Sequence, residues 1–330
     1  MFGKRLIKSN DEGGGSSFNT VLYTGNGSTQ SISGVGFKPN FVWVKSRSAA
    51  TSHKLTDIVR GTTKALVSNT TAAETTDANG LSAFGSDGFT LGTDSVYNNS
   101  GAAYVAWCWK AGGAAVTNTD GSITSDVSAN VDAGFSVVKY TGNGTDGASV
   151  GHGLSSAPEL IIYKWLTAAN SWIVLTTSID GSADYLFLNN TDAKGDYSSA
   201  YIPTSSLFYN NTSSTNELIA YCFHSVAGFS KIGSYTGNGG TNTITIGFEP
   251  AFIMFKKTSG DNWMIIDNKR DTKTVKNLGL FPNLPLEELN PNFGVNGVEF
   301  LGNGFTITTG DGTVNASGGT YIYMAFANQF

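Results

Sequence analysis

The sequence predicts an all-β protein made of tandem β-sandwiches of jelly-roll or concanavalin-like type. Three observations predict it. The string Tyr-Thr-Gly-Asn-Gly occurs at Tyr23, Tyr140 and Tyr235, each time opening the same longer pattern. Short alternating or wholly apolar runs are separated by Gly, Asn and Asp turns, as in sandwiches. Helical periodicity is missing: the nearest candidate, PLEELN at 285–290, spans one or two turns.

The elements follow in chain order. Residues 1–17 carry mixed charge and end in Gly13-Gly14-Gly15-Ser16-Ser17, which reads as a flexible anchoring arm. Three repeats follow at 18–112, 135–228 and 229–330, with 113–134 as a small, polar, turn-rich linker. The repeat length is that of ordinary domains and exceeds the roughly 20–50 residues of solenoid units, so each repeat is expected to own a core. After the glycine turn each repeat reaches a proline and an apolar strand ending in lysine: FVWVK to Lys45, LIIYK to Lys164 and FIMFK to Lys256. Proline cannot donate to a ladder and suits the strand's start. An aromatic slot follows, filled by His53, Trp172 and Trp263, and each repeat closes on an apolar strand: YVAWCWK, LIAYCFH and YIYMAFA. Repeats 1 and 3 precede it with a strand around Gly88-Phe89 and Gly304-Phe305; repeat 2 lacks that strand or replaces it with Ser206 to Tyr209.

Composition narrows the function. Charged residues are 14%, against about 25% in ordinary domains. A net charge of −5 without a basic stripe argues against nucleic acid. No apolar stretch is long enough to span a membrane, and the N-terminus has no secretory pattern.

Catalytic chemistry is not in evidence. Cys108 and Cys222 occupy equivalent closing-strand positions, with Ala325 as the third occupant. Buried thiols in separate sandwiches, unbridged, are therefore expected. His53 belongs to the aromatic slot, His152 lies inside a strand and His224 at a strand end. Neither a metal-ligand spacing nor a nucleophile elbow surrounds them. Asp57, Asp180 and Asp267 read as turn carboxylates. The Asn-Gly of the repeated string is expected to form a hairpin turn, and Lys45, Lys164 and Lys256 to snorkel from strand ends. The chain is thus expected to be no enzyme and to need no metal or cofactor. Aromatics that break the repeat are the binding candidates: Trp165, which follows the strand-ending lysine, and Tyr97, Tyr201 and Tyr209 in Asn/Ser/Thr-rich loops.

The combination of YTGNG, GFKPNFVWVK, SDGFTLG, YVAWCWKAGG and AGFSVVKYTGNG resembles a repeat domain of structural proteins from tailed, especially marine, bacteriophages. That resemblance implies a virion component made in the host cytoplasm, a tail-fibre or adhesin-like appendage contacting host surface polysaccharide. The resemblance carries over no catalytic residues; the flexible N-terminal arm suits docking onto other virion proteins, and the appendage reading predicts homo-oligomers, trimers favoured. The alternative is an architectural capsid decoration or tail adaptor touching only virion proteins.

Overall fold

The computed structural model describes residues 16–291 and 293–328. Most of the predicted arm therefore lies outside the described residues. The chain is all-β, built from antiparallel sheets.

Every repeat lays down the same inner sheet, in the order opening, closing, apolar and slot strand. These are Phe18–Thr24, Ala103–Trp109, Phe41–Ser46 and Lys54–Asp57 in repeat 1. Repeat 2 uses Phe135–Thr141, Glu217–Phe223, Leu160–Trp165 and Ile173–Thr176. Repeat 3 uses Ser230–Thr236, Thr320–Phe326, Phe252–Lys257 and Met264–Asp267. The register repeats too: Phe41 faces Asp57, Leu160 faces Thr176 and Phe252 faces Asp267.

The closing strand is unbroken in its apolar character because both of its faces are covered. Tyr104, Ala106 and Cys108 enter the core of the first sandwich, and Leu218, Ala220 and Cys222 that of the second. The alternate residues enter a single core shared by all three repeats: Val105, Trp107 and Trp109 from the first, Ile219, Tyr221 and Phe223 from the second, and Ile322, Met324 and Phe326 from the third. Three equivalent rings meet at its centre. Trp109–Phe223, Phe223–Phe326 and Trp109–Phe326 have centroids 6.4, 5.9 and 5.8 Å apart, a nearly equilateral triangle about a pseudo-threefold axis. Fully burying one such side chain contributes about 1.5–3 kcal/mol, so this centre is a principal source of cohesion.

The expectation of separate domains is therefore corrected: the first two sandwiches have cores of their own, as expected, but a further core joins all three repeats. The repeats form one ring of three. The reason is local to each inner sheet: both faces are apolar, and the outer sheet covers just one of them. The predicted linker is corrected as well. Val116–Asn118 and Ser125–Asn130 are strands that extend the inner sheet of repeat 2, with Val127 opposite Val138. Their side chains are too small and polar to signal a strand by alternation alone. The ring closes where the first and last described residues meet: Ser16 Oγ donates to the Asn328 carbonyl at 2.9 Å, and the Phe18 and Phe326 rings stack at 5.2 Å.

The outer sheets differ between repeats. Repeat 1 uses Gln30–Ser33, Gly88–Leu91 and Leu81–Gly85; repeat 3 uses four strands, Asn242–Thr245, Gly304–Ile307, Val298–Leu301 and Val275–Lys276. In repeat 2 the outer sheet is just Ser149–Gly151 paired with Leu207–Tyr209. The inner sheet there grows instead, adding Asp184–Phe187 and Gly195–Asp196 beyond the slot strand.

Candidate functional site

Positions filled alike in all three repeats build the ring. The aromatic slot of each repeat reaches a backbone carbonyl of the repeat before it in the ring. Trp172 Nε1 donates to the Val67 carbonyl at 2.8 Å, and Trp263 Nε1 to that of Phe187 at 2.8 Å. His53 Nε2 reaches the Phe281 carbonyl at 2.9 Å. Its Nδ1 accepts from Trp43 Nε1 at 2.9 Å, which fixes the proton on Nε2. Burial holds the His53 imidazole well below its ordinary pKa, so the ring is neutral and structural. His152 is likewise held down by burial, with Leu154 N donating to its Nδ1.

The recurring lysines do not snorkel. Lys45, Lys164 and Lys256 are fully buried, and burial pushes each ammonium down to about 8. Carbonyls surround them. Lys164 Nζ donates to Asn170, Trp165 and Thr71 at 3.0–3.2 Å, the last belonging to repeat 1. Lys256 donates to Asp261 and to Asn190 of repeat 2; Lys45 donates to Ser46 and Ala49. A buried ammonium must be hydrogen-bonded, and these loops supply the acceptors.

The Tyr-Thr-Gly-Asn-Gly string is not a hairpin either. Its two flanking strands lie in different sheets of the sandwich, and a buried asparagine ties the crossing down. Asn98 Oδ1 accepts from Asn26 N and Asn315 Oδ1 from Asn238 N, at 2.9 and 3.0 Å. Gly25, Gly142 and Gly237 sit so close to the facing backbone that a Cβ would come within 2.3, 2.2 and 2.3 Å of a carbonyl oxygen.

One core position varies in a correlated way. Asp57 is buried and accepts from Arg60 Nε at 2.5 Å and from the Tyr221 hydroxyl of repeat 2 at 2.8 Å. Asp267 accepts from Arg270 Nε at 2.5 Å and from Trp107 Nε1 of repeat 1 at 3.0 Å. At the equivalent place repeat 2 has Thr176 and Ile179, and the same rotation sets Met324 opposite them. Where the ion pair is missing, the facing residue carries no donor. Asp57 and Asp267 are turn carboxylates, as expected, each accepting two amides of its own turn, and are buried ligands of arginine besides; Asp180 is the exposed one, accepting from Ser182. Cys108 and Cys222 are free and buried in different sandwich cores, and burial pushes both thiols up.

The place that breaks the repeat is the outward face of the extended sheet in repeat 2. Tyr185 and Phe187 lie opposite Leu175 and Ile173, and Gly195 lies opposite Tyr185, so all share one face. The narrowed outer sheet leaves that face half-open. Tyr185, Tyr197 and Tyr201 form a file of tilted rings at 4.5 and 5.2 Å, with Phe187 edge-on to Tyr185 at 5.6 Å. All four are half-buried. The Tyr185 ring tip lies over Gly195, where a Cβ would fall 2.4 Å from it. Asn211 Nδ2 donates to the Tyr197 hydroxyl at 2.6 Å. Burial pushes the Tyr197 and Tyr201 phenols up to about 12, so both hydroxyls remain protonated donors.

Of the sequence candidates, Tyr201 belongs to this file, and Trp165 packs half-buried against the same sandwich core. Tyr97 does not qualify. It is 1% exposed, packed in the first sandwich core with its hydroxyl 3.5 Å from Thr56 Oγ1. Tyr209 lies beside the inward-pointing Phe208 on the outer strand and so points away from the file. Tyr185, Phe187 and Tyr197 escaped notice in the sequence. Their signal was there in two parts: the alternation Tyr185-Leu186-Phe187, and the lack in that repeat of the Gly-Phe strand, whose place Leu207–Tyr209 takes.

Among the described residues no cluster of His, Cys, Asp and Glu is arranged to hold a metal ion. No curated protein and no solved structure matches the chain. Residues 13–329, all three repeats together, match a single family domain, in agreement with the undivided ring. The chain therefore belongs to the family described as Domain of unknown function (DUF7483).

Proposed function

We propose that this chain is a non-enzymatic bacteriophage virion protein, a tail-fibre or adhesin-like appendage that contacts host surface glycan through the aromatic face of repeat 2. The observation that carries the reading is the file Tyr185–Tyr197–Tyr201, left half-open in the one repeat whose outer sheet is reduced. Half-buried tyrosine rings beside hydroxyl and amide donors suit the apolar faces and hydroxyl rims of sugars. The phage assignment is supported by the repeat's resemblance to virion structural domains. Screening the full chain and Tyr197→Ala against a glycan array tests the reading. Binding that the variant loses supports it; an array without signal for either protein overturns it.

A second reading, an architectural adaptor or decoration protein, is favoured by another surface. Val116 and Val131, 67% and 42% exposed, flank a shallow groove of about 200 Å³ on the added hairpin of repeat 2. Labelling intact particles with antibody discriminates the two. Signal at a host-facing tip supports the appendage, and signal spread over the head or tail tube supports the adaptor.

A further inference from the structure

On the other face of the extended sheet, away from the tyrosine file, an amine and two carboxyl groups are held in contact. Asp184 and Asp196 lie directly opposite each other on paired strands, and on its other side Asp184 faces the buried Thr176. Lys194, two residues before Asp196, bonds Asp184 Oδ1 through its Nζ at 2.6 Å and touches Asp196 Oδ1 as well. Its backbone is fixed too, with Lys194 N donating to the Thr258 carbonyl of repeat 3 at 2.7 Å. Asp184 has no exposure, and among the described residues its second oxygen, Oδ2, has no hydrogen-bond partner.

A buried carboxylate oxygen without a donor is costly. A proton on that oxygen removes the cost, and burial accordingly raises the Asp184 carboxyl above the usual carboxylate range. The neutral acid is an electrophile toward an amine, as a carboxylate is not. Lys194 holds its protons tightly, because its bonds to Asp184 and Asp196 push the ammonium up, so the amine needs a base in contact with it. Asp196 is that base: it touches Nζ and lies across the ladder from the acid. Holding the groups in contact supplies an effective concentration of about 10⁵ M or more, which favours a condensation that free groups in water do not undergo.

We infer that Lys194 and Asp184 join in an isopeptide bond, formed by the folded chain itself with Asp196 as the proton relay. The bond from Lys194 Nζ to Asp184 Cγ forms, and the bond from Cγ to Oδ2 breaks. The ammonium gives up two protons: one leaves with the displaced hydroxyl as water, and the other stays on Asp196, which then ionises to solvent. Nothing is oxidised or reduced, and no co-reactant is needed. The link clamps the short edge strand Gly195–Asp196 against the sheet, beneath Tyr185 and just before Tyr197. It is independent of what the tyrosine file binds.

The intact mass of the full chain, measured in denaturant, tests this. It is expected to fall one water below the mass of the sequence. Trypsin, which does not cut after an amide-linked lysine, should then leave residues 165–231 as one looped peptide; an unlinked chain is cut after Lys194. Lys194→Arg should show its full mass, which separates the link from water lost at an Asp-Gly pair such as Asp180-Gly181. Asp196→Ala should also keep its full mass while matching the parent in tryptophan fluorescence, so that a folded chain without the relay stays unlinked. A parent at full mass, or a water loss that persists in Lys194→Arg, overturns the isopeptide bond. A link that still forms in Asp196→Ala overturns the role given to Asp196.

Discussion

Asp57→Ala offers the sharpest test of the shared core. Asp57 has no exposure, and its carboxylate accepts from Arg60 Nε, the Tyr221 hydroxyl and the amides of Val59 and Arg60. Alanine removes all four acceptor contacts and leaves a buried guanidinium with Glu74 alone as counter-ion. Breaking a buried pair this way costs about 3–5 kcal/mol, because the remaining charge stays desolvated. The molecule contains its own control. The equivalent position between repeats 2 and 3 uses Thr176, Ile179 and Met324. The triple change Asp57→Thr, Arg60→Ile and Tyr221→Met imports that solution, and well-packed apolar replacement of a buried ion pair is often neutral or stabilising. Urea denaturation followed by tryptophan fluorescence reads both proteins. A single variant losing less than about 1 kcal/mol would refute the claim that the pair is sealed between repeats. A triple variant no more stable than the single would refute the equivalence of the three interfaces.

Three further outcomes are expected. Stability should climb as pH rises from about 8 toward 10, because Lys45, Lys164 and Lys256 titrate near 8 when folded and near their ordinary 10.5 when unfolded, so the unfolded chain binds more protons in that window. It should then fall above about 10, where the unfolded chain ionises tyrosines that burial keeps protonated in the fold, Tyr163 and Tyr221 among them; urea midpoints across that range check both limbs. Cys108 and Cys222 should resist a thiol reagent in native buffer and react together on unfolding, with the mass showing two free thiols. Gly142→Ala should lower stability by about 1–3 kcal/mol, because its Cβ would meet the Ser214 carbonyl oxygen at 2.2 Å, and a thermal melt checks it.

The β class and the strand inventory were legible because turn residues and apolar runs are local signals. The buried, unbridged thiols followed from comparing the repeats with one another. What the sequence hid was the destination of the second apolar face. A run such as FVWVK shows that a strand is covered twice, yet the second cover here is another repeat, a non-local partner that no pattern names. The same gap explains the lysines. Lysine at a strand end normally reaches water, and only the neighbouring repeat's loop turns Lys164 into a buried ligand of Thr71. At the candidate site, Tyr201 and Trp165 were visible as departures from the template. Tyr97 was misplaced because an Asn-rich loop hides a short helical turn, Ser95–Asn98, that folds its ring into the core.

The ring also explains how repeat 2 can expose an aromatic face without losing its fold. A free-standing sandwich depends on its outer sheet to cover half of its apolar surface, so trimming that sheet to two strands would leave a marginal core. Here the inner face is sealed by two other repeats, and Phe223, Tyr221 and Ile219 remain buried whatever the outer sheet does. Sharing the centre thus relaxes the demand on the periphery, as in repeat proteins whose units are stabilised by their neighbours. Repeat 2 excised as residues 113–228 should then fail to fold: it would present Trp172, Tyr221 and Phe223 to water and lose the Val67 and Asp57 partners. Amide dispersion in its NMR spectrum decides the matter. A well-dispersed, cooperative domain would show that the second sandwich is sufficient alone and that the shared core is a docking surface between three independent units.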